Sequence, residues 1–84
     1  MSKRCPARKQ VAKAFGVALV QARAAAGMTQ EQLADSARLH RTTVGLLERG
    51  IKCPTLDTVF HLAHAMGSDP VELVSEAAGR IKKS

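Results

Sequence analysis

Tryptophan and tyrosine are absent from this 84-residue chain, and phenylalanine occurs only twice. The apolar 45% is therefore made mainly of Ala, Leu and Val, a mixture that suits closely packed short helices rather than a sheet, and no alternating strand-like run appears. Nowhere do about 18 apolar residues follow one another, as a membrane span requires, and the N-terminus has no apolar segment of signal-peptide type. A cytoplasmic protein without membrane contact is expected. The two cysteines, Cys5 and Cys53, stand far apart without a CxxC spacing, which argues against a disulfide framework or a thiolate zinc site and leaves two unpaired thiols.

Acidic side chains are also few, seven against thirteen Lys and Arg, for a net charge of +6. The shortage is local. Residues 1–52 carry ten basic and three acidic side chains, whereas residues 53–84 carry three basic and four acidic ones. A field of this kind attracts phosphate, speeds association and makes binding salt-sensitive, although basic surface alone also fits plain solubility or attraction to acidic membranes.

What the basic half does contain is the run Thr29 to Gly50, TQEQLADSARLHRTTVGLLERG. Thr29 followed by Gln32 is a capping box that opens one helix, and Leu33, Ala34 and Ala37 give that helix an apolar face. Arg38-Leu39-His40 interrupts the period before Val44 and Leu47 resume it. Two short helices across a tight break read as a helix-turn-helix, the second presenting Arg41, Thr42, Gly45 and Leu46 outward. A cationic fork and a hydroxyl at the start of a short helix suit the major groove of duplex DNA, where base edges display acceptors that Arg engages in pairs.

The rest of the chain supports one all-helical unit. Residues 1–8 hold basic residues with almost nothing apolar to bury and read as a mobile basic arm. A first helix is expected from Lys9 to Ala26, with Val11, Phe15, Leu19, Ala22 and Ala26 on one face and Gly27 at its end. Two helices follow at about Gln30 to Ala37 and Arg41 to Glu48. Thr55 caps a fourth, with Leu56, Val59, Ala63 and Met66 as its stripe and Phe60 and Leu62 beside it. Asp69-Pro70 opens a fifth, with Glu72 as the reciprocal capping partner, running to about Ala78. The domain thus covers residues 9–79, and residues 80–84 form a short basic tail.

From about Phe15 to Val74 the chain resembles the lambda-repressor-like helix-turn-helix family, the Xre or Cro/C1 type. The resemblance rests on Arg23, the run Gly27 to Ala34, Thr43-Val44, Leu47 to Gly50, Pro54-Thr55-Leu56, Leu62-Ala63, Met66-Gly67 and Glu72-Leu73. In size the chain is similar to small single-domain members such as phage Cro-like repressors and restriction-modification controller proteins. The resemblance implies a compact five-helix all-α fold, base contacts from Arg41, Thr42 and Leu46, backbone contacts from Gln30 and Thr43, and a structural salt bridge between Arg23 and Glu48. It also marks departures: Arg38 stands where the turn usually has Gly, His40 where Ser or Thr usually caps, and Ser68 where an apolar residue is usual. Because a non-Gly residue in the left-handed region costs on the order of 1 kcal/mol, an altered turn at Arg38 is expected.

From the residues themselves, Arg41 can bond guanine O6 and N7 together, or contact phosphate alone. Gln30, in the first turn of its helix, can reach a phosphate or stay solvated. Arg49 and Lys52 follow the recognition helix and read as phosphate contacts or as solvated cations. Double-stranded DNA is the expected partner, bound by a homodimer on a roughly palindromic operator, because one such helix reads only a few base pairs. Phe60, Val71 and Val74 are the candidate dimer contacts. His61 and His64 share a helix face, but with no third ligand nearby they read as surface or interface histidines, so no metal or other cofactor is expected. The other classes are a protein-interaction module of the same fold, such as an antitoxin or adaptor, and an enzyme. Against the last stands the lack of a paired nucleophile and base, a phosphate-cradling Gly loop or a coherent metal set.

Overall fold

The computed structural model describes residues 5–81. Among them are five α-helices and no strand: α1 (Arg8–Ala25), α2 (Gln30–Ala37), α3 (Arg41–Glu48), α4 (Leu56–Ala65) and α5 (Pro70–Gly79). Helix α1 packs on α3 and α5, α2 packs on α3 and α4, and α4 packs on α5, so every helix faces one shared interior. That interior is wholly apolar, with Leu19, Leu33, Val44, Leu47 and Leu62 fully buried at its centre. Truncating any of these leucines to Ala removes about 2–5 kcal/mol, a large part of what a domain this small has.

Local chemistry sets the helix starts. At α2 the Thr29 hydroxyl accepts from the Gln32 N–H (3.1 Å) and Gln32 Oε1 accepts from the Thr29 N–H (2.9 Å), the reciprocal box that the sequence suggests. Thr55 caps α4, and its hydroxyl also donates to Asp57 (2.6 Å), which holds that exposed carboxyl below its ordinary pKa. Asp69 caps α5 by accepting from the Val71 N–H (2.9 Å), but Glu72 makes no return bond, contrary to expectation. Helix α1 begins one residue earlier than its apolar spacing suggests, where Gln10 Oε1 accepts the Ala7 N–H, and it also ends one residue earlier, at Ala25.

Four helices end in the same way. After α1, α2, α3 and α4 a residue with positive φ lets the next N–H reach back to the carbonyl five positions earlier: Met28 to Arg23, Leu39 to Ala34, Ile51 to Leu46 and Ser68 to Ala63. Three of the positive-φ residues are Gly27, Gly50 and Gly67; the fourth is Arg38, at φ 59° and ψ 42°. The altered turn expected there is not formed. Arg38 takes the left-handed conformation itself, since two backbone bonds (Arg38 N–H to Asp35 O, 3.2 Å; Leu39 N–H to Ala34 O, 2.8 Å) and the packing of Leu39 on the core hold it there. At Ser68, by contrast, the apolar contact that usually accompanies this motif has no side chain to make it.

The stripe on α4 differs from its sequence reading. Leu62 is fully buried with Val59 and Ala63, whereas Leu56 is 72% exposed. Residues 56, 59 and 63 and residues 59, 62 and 63 both satisfy helical spacing, and only the approach of α2 and α5 selects the second set. The expected arm (residues 1–8) and tail (residues 80–84) lie partly outside the described residues, but their inner ends are structured. Arg8 begins α1, and Arg80 donates to Gln21 Oε1 (2.5 Å) and to the Glu76 carbonyl (3.0 Å), which ties the end of α5 to α1. No helix among the described residues is long and apolar enough to cross a membrane.

Candidate nucleic-acid interface

Helix α3 is mounted by its inner face and its C-terminal end. Val44 and Leu47 are fully buried, whereas Arg41 and Thr42 are exposed and Thr43, Gly45 and Leu46 are half-buried along the flank. At the C-terminal end the backbone of α1 comes very close. A Cβ added to Gly16 would lie 2.6 Å from the Glu48 carbonyl oxygen and 2.7 Å from that of Leu47, so only glycine fits between the helices. A Cβ on Gly50 would likewise lie 2.9 Å from Lys13 Cα.

Around that contact Glu48 gathers three donors. Arg23 Nε donates to Oε2 at 2.5 Å, Arg23 Nη2 to Oε1 at 3.2 Å, and Gln30 Nε2 to Oε1 at 2.7 Å. The Glu48 side chain is only 4% exposed, and the remaining Arg23 nitrogen donates to the Met28 carbonyl (2.9 Å). The two residues that the resemblance implies as a bridge thus meet, and they draw in a third from α2. The hydrogen bonds that Arg23 donates to Glu48 raise the Arg23 pKa above its ordinary value; partial burial opposes this and the carboxylate charge adds to it. Gln30 is therefore not a freely solvated helix-start side chain. Its amide has one N–H fixed on Glu48 and a second left over beside the N-terminus of α2.

The N-terminal end of α3 has a lighter frame. His40 caps it in place of the usual hydroxyl, its Nδ1 accepting the Thr42 N–H at 3.1 Å. Arg41 donates from Nη1 to Glu31 Oε2 (2.8 Å), a pair in which both side chains are largely exposed, 63% and 70%. At the far end Arg49 returns its Nε to the Gly45 carbonyl (3.3 Å), and Lys52 stands exposed on the loop beyond. Arg41, Thr42, Thr43, Arg49 and Lys52 thus belong to one helix and its exit, with Gln30 beside them on α2. Nothing lies within 4 Å of a Cβ built at Gly45, so the flank of α3 has open space there.

The proposed dimer residues sit apart from this surface. Phe60 on α4 and Val71 and Val74 on α5 are all exposed, and Leu56, four residues before Phe60, is exposed with them. His61 and His64 are exposed as well and border a small hollow with Ser36 and Arg38, and among the described residues no three His, Cys, Asp or Glu side chains approach closely enough to hold a metal. Cys5 is exposed and Cys53 half-buried.

Two contributors escape a sequence reading. Gly16 leaves one local trace, a glycine inside an otherwise strong helix, where it costs about 1 kcal/mol unless a close approach requires it. Glu31 leaves none, because its partner is ten positions away across a turn.

Comparison with known proteins gives this geometry a context. The family profile described as Helix-turn-helix matches residues 19–73, more than half of the chain. The control protein C.BamHI of Bacillus amyloliquefaciens is 38% identical over 47 residues, covering 56% of this chain and 58% of that protein. The chain therefore spans less than two thirds of that curated relative. Among solved structures, the clp gene regulator ClgR from C. glutamicum superposes with a TM-score of 0.81 at 32% identity, over 86% of this chain and 94% of that one. The restriction-modification controller protein C.AhdI from Aeromonas hydrophila gives a TM-score of 0.72 at 39% identity, over 74% of this chain and 94% of that one.

Proposed function

The chain belongs to the Cro/C1-type helix-turn-helix family, and from that premise we propose that it is a transcription regulator that binds double-stranded DNA sequence-specifically as a homodimer on a roughly palindromic operator. The observation that carries this reading is the mounting of α3. Its inner face and C-terminal end are anchored in the core while Arg41 and Thr42 project into solvent at the other end. A helix held this way can enter a major groove without disturbing the fold. Arg41 reads guanine through paired hydrogen bonds, Thr42 and Leu46 meet a thymine methyl, and Gln30, Thr43, Arg49 and Lys52 hold the flanking phosphates.

Dimerisation supplies the second half-site about one helical turn away. Phe60, Val71 and Val74, large apolar groups exposed on two adjacent helices, support an isologous interface there. Val71→Asp should then yield a monomer by analytical ultracentrifugation.

The test of the reading is a binding titration on a duplex selected from a random pool and on a scrambled duplex, repeated across salt. Arg41→Ala should lose about 1–3 kcal/mol on the selected duplex and relax one base position, whereas Lys52→Ala should weaken both duplexes alike and lower the salt slope by about one unit. Identical behaviour of the two variants would refute the division of roles. Equal affinity of the native protein for both duplexes would favour a protein-interaction module instead.

A further inference from the structure

Arg41, the side chain assigned to base reading, already has a partner in the unbound protein. Its Nη1 donates to Glu31 Oε2 at 2.8 Å across the gap between the first turns of α2 and α3. The position of this carboxylate is unusual for the surface it occupies. Residues 1–52 contain only three acids, Glu31, Asp35 and Glu48. The Glu48 side chain is almost wholly covered and is occupied by Arg23 and Gln30. The two exposed ones, Glu31 and Asp35, border the same groove as His40 and Arg41, at the end of α3 that meets DNA in the proposed function. A negative charge there repels every duplex, so its presence opposes affinity without regard to sequence.

We infer that Glu31 is a positioning residue for base recognition, which holds the Arg41 guanidinium in one orientation and so makes binding depend on the base that Arg41 meets. The inference rests on the DNA-binding reading given above. A guanidinium carries five N–H donors, and Glu31 engages one of them. The donors that remain are enough for a paired contact with guanine, which needs two. An unrestrained Arg on a helix end sweeps a wide cone and can settle on whichever phosphate is nearest, a contact that carries no sequence information. Held by Glu31, the fork has less rotamer freedom to lose on a matching base and is drawn away from phosphate on a mismatched one. The same carboxylate therefore weakens nonspecific binding by its charge and sharpens specific binding by its geometry.

The experiment compares the native protein with Glu31→Gln, Glu31→Asp, Arg41→Ala and Arg41→Ala/Glu31→Gln by fluorescence anisotropy on the selected and scrambled duplexes. Glu31→Gln should bind the scrambled duplex more tightly and the selected one no better, so that the specificity ratio falls by about tenfold. Glu31→Asp, which keeps the charge but shortens the reach by one methylene, should also lose most of the ratio. In the Arg41→Ala background Glu31→Gln should leave the ratio unchanged, since nothing remains to position. A ratio that survives Glu31→Gln or Glu31→Asp, or that falls equally without Arg41, overturns the inference while the DNA-binding reading stands. A native protein that prefers neither duplex overturns both. Thermal melting by circular dichroism should show all five proteins folded, because both side chains are solvent-exposed.

Discussion

The two ends of α3 are built on opposite principles. Around Glu48 the chain uses what cannot be adjusted: a glycine against two carbonyls, a nearly buried carboxylate with three donors, and a second glycine over Lys13. Around Arg41 it uses what can be exchanged: an imidazole cap, an arginine in a left-handed turn and an ion pair open to water. Exposed pairs of this kind add only about 0–1 kcal/mol to folding stability, so the Arg41 end contributes little to the fold while the Glu48 end fixes the angle of the helix. Contacts that hold the fold and contacts that stay open to solvent are thus separated along only eight residues.

The contrast can be broken at either end, with effects that decline from rear to front. Gly16→Val should destabilise the protein by about 3 kcal/mol or more, because backbone atoms of α3 must move to admit the side chain. A shift of the urea midpoint with unchanged slope would measure it, and a loss below about 1 kcal/mol would mean that the contact is slack. Glu48→Gln keeps the shape but removes the charge opposite Arg23 and should cost about 2 kcal/mol, again by urea unfolding. At the front end His40→Ala should cost only about 1 kcal/mol, and His40→Asn should restore it, since Asn supplies a better cap. Arg38→Gly should change sign and raise stability by about 1 kcal/mol or less, as the left-handed turn then carries no Cβ. If the front-end substitutions matched the rear-end ones in size, the division drawn above would not hold.

Much of this was legible beforehand. The limits of α2 and α3 follow from short-range signals, the Thr29–Gln32 box and the break at residues 38–40, and the structure has the same limits. The five-helix architecture follows from apolar spacing and caps in the same way. Where two helical stripes overlap, as at Leu56 and Leu62, spacing cannot choose, and the choice is made by neighbouring helices. Arg38 illustrates a second limit: the intrinsic cost of a left-handed arginine points to an altered turn, but the backbone bonds and the Leu39 contact that hold the left-handed conformation become visible only once the turn is folded. The rear of the site was half legible. Arg23 and Glu48 were assigned through the resemblance, but the third member, Gln30, and the clearance at Gly16 depend on where α1 and α2 lie against α3. The Glu31–Arg41 pair was out of reach for the same reason.

Gly45 has one more consequence. Its position on α3 has open space where a Cβ would stand, so a side chain other than proline can be started there without meeting the interior, most often with a gain in helix propensity. Under the proposed function, such a substituent faces the nucleic acid rather than the core. If the proposed function holds, the position is a natural starting point for changing base preference: a library varied at this single codon, proline excluded, should alter the preferred duplex while the melting temperature stays close to that of the native protein.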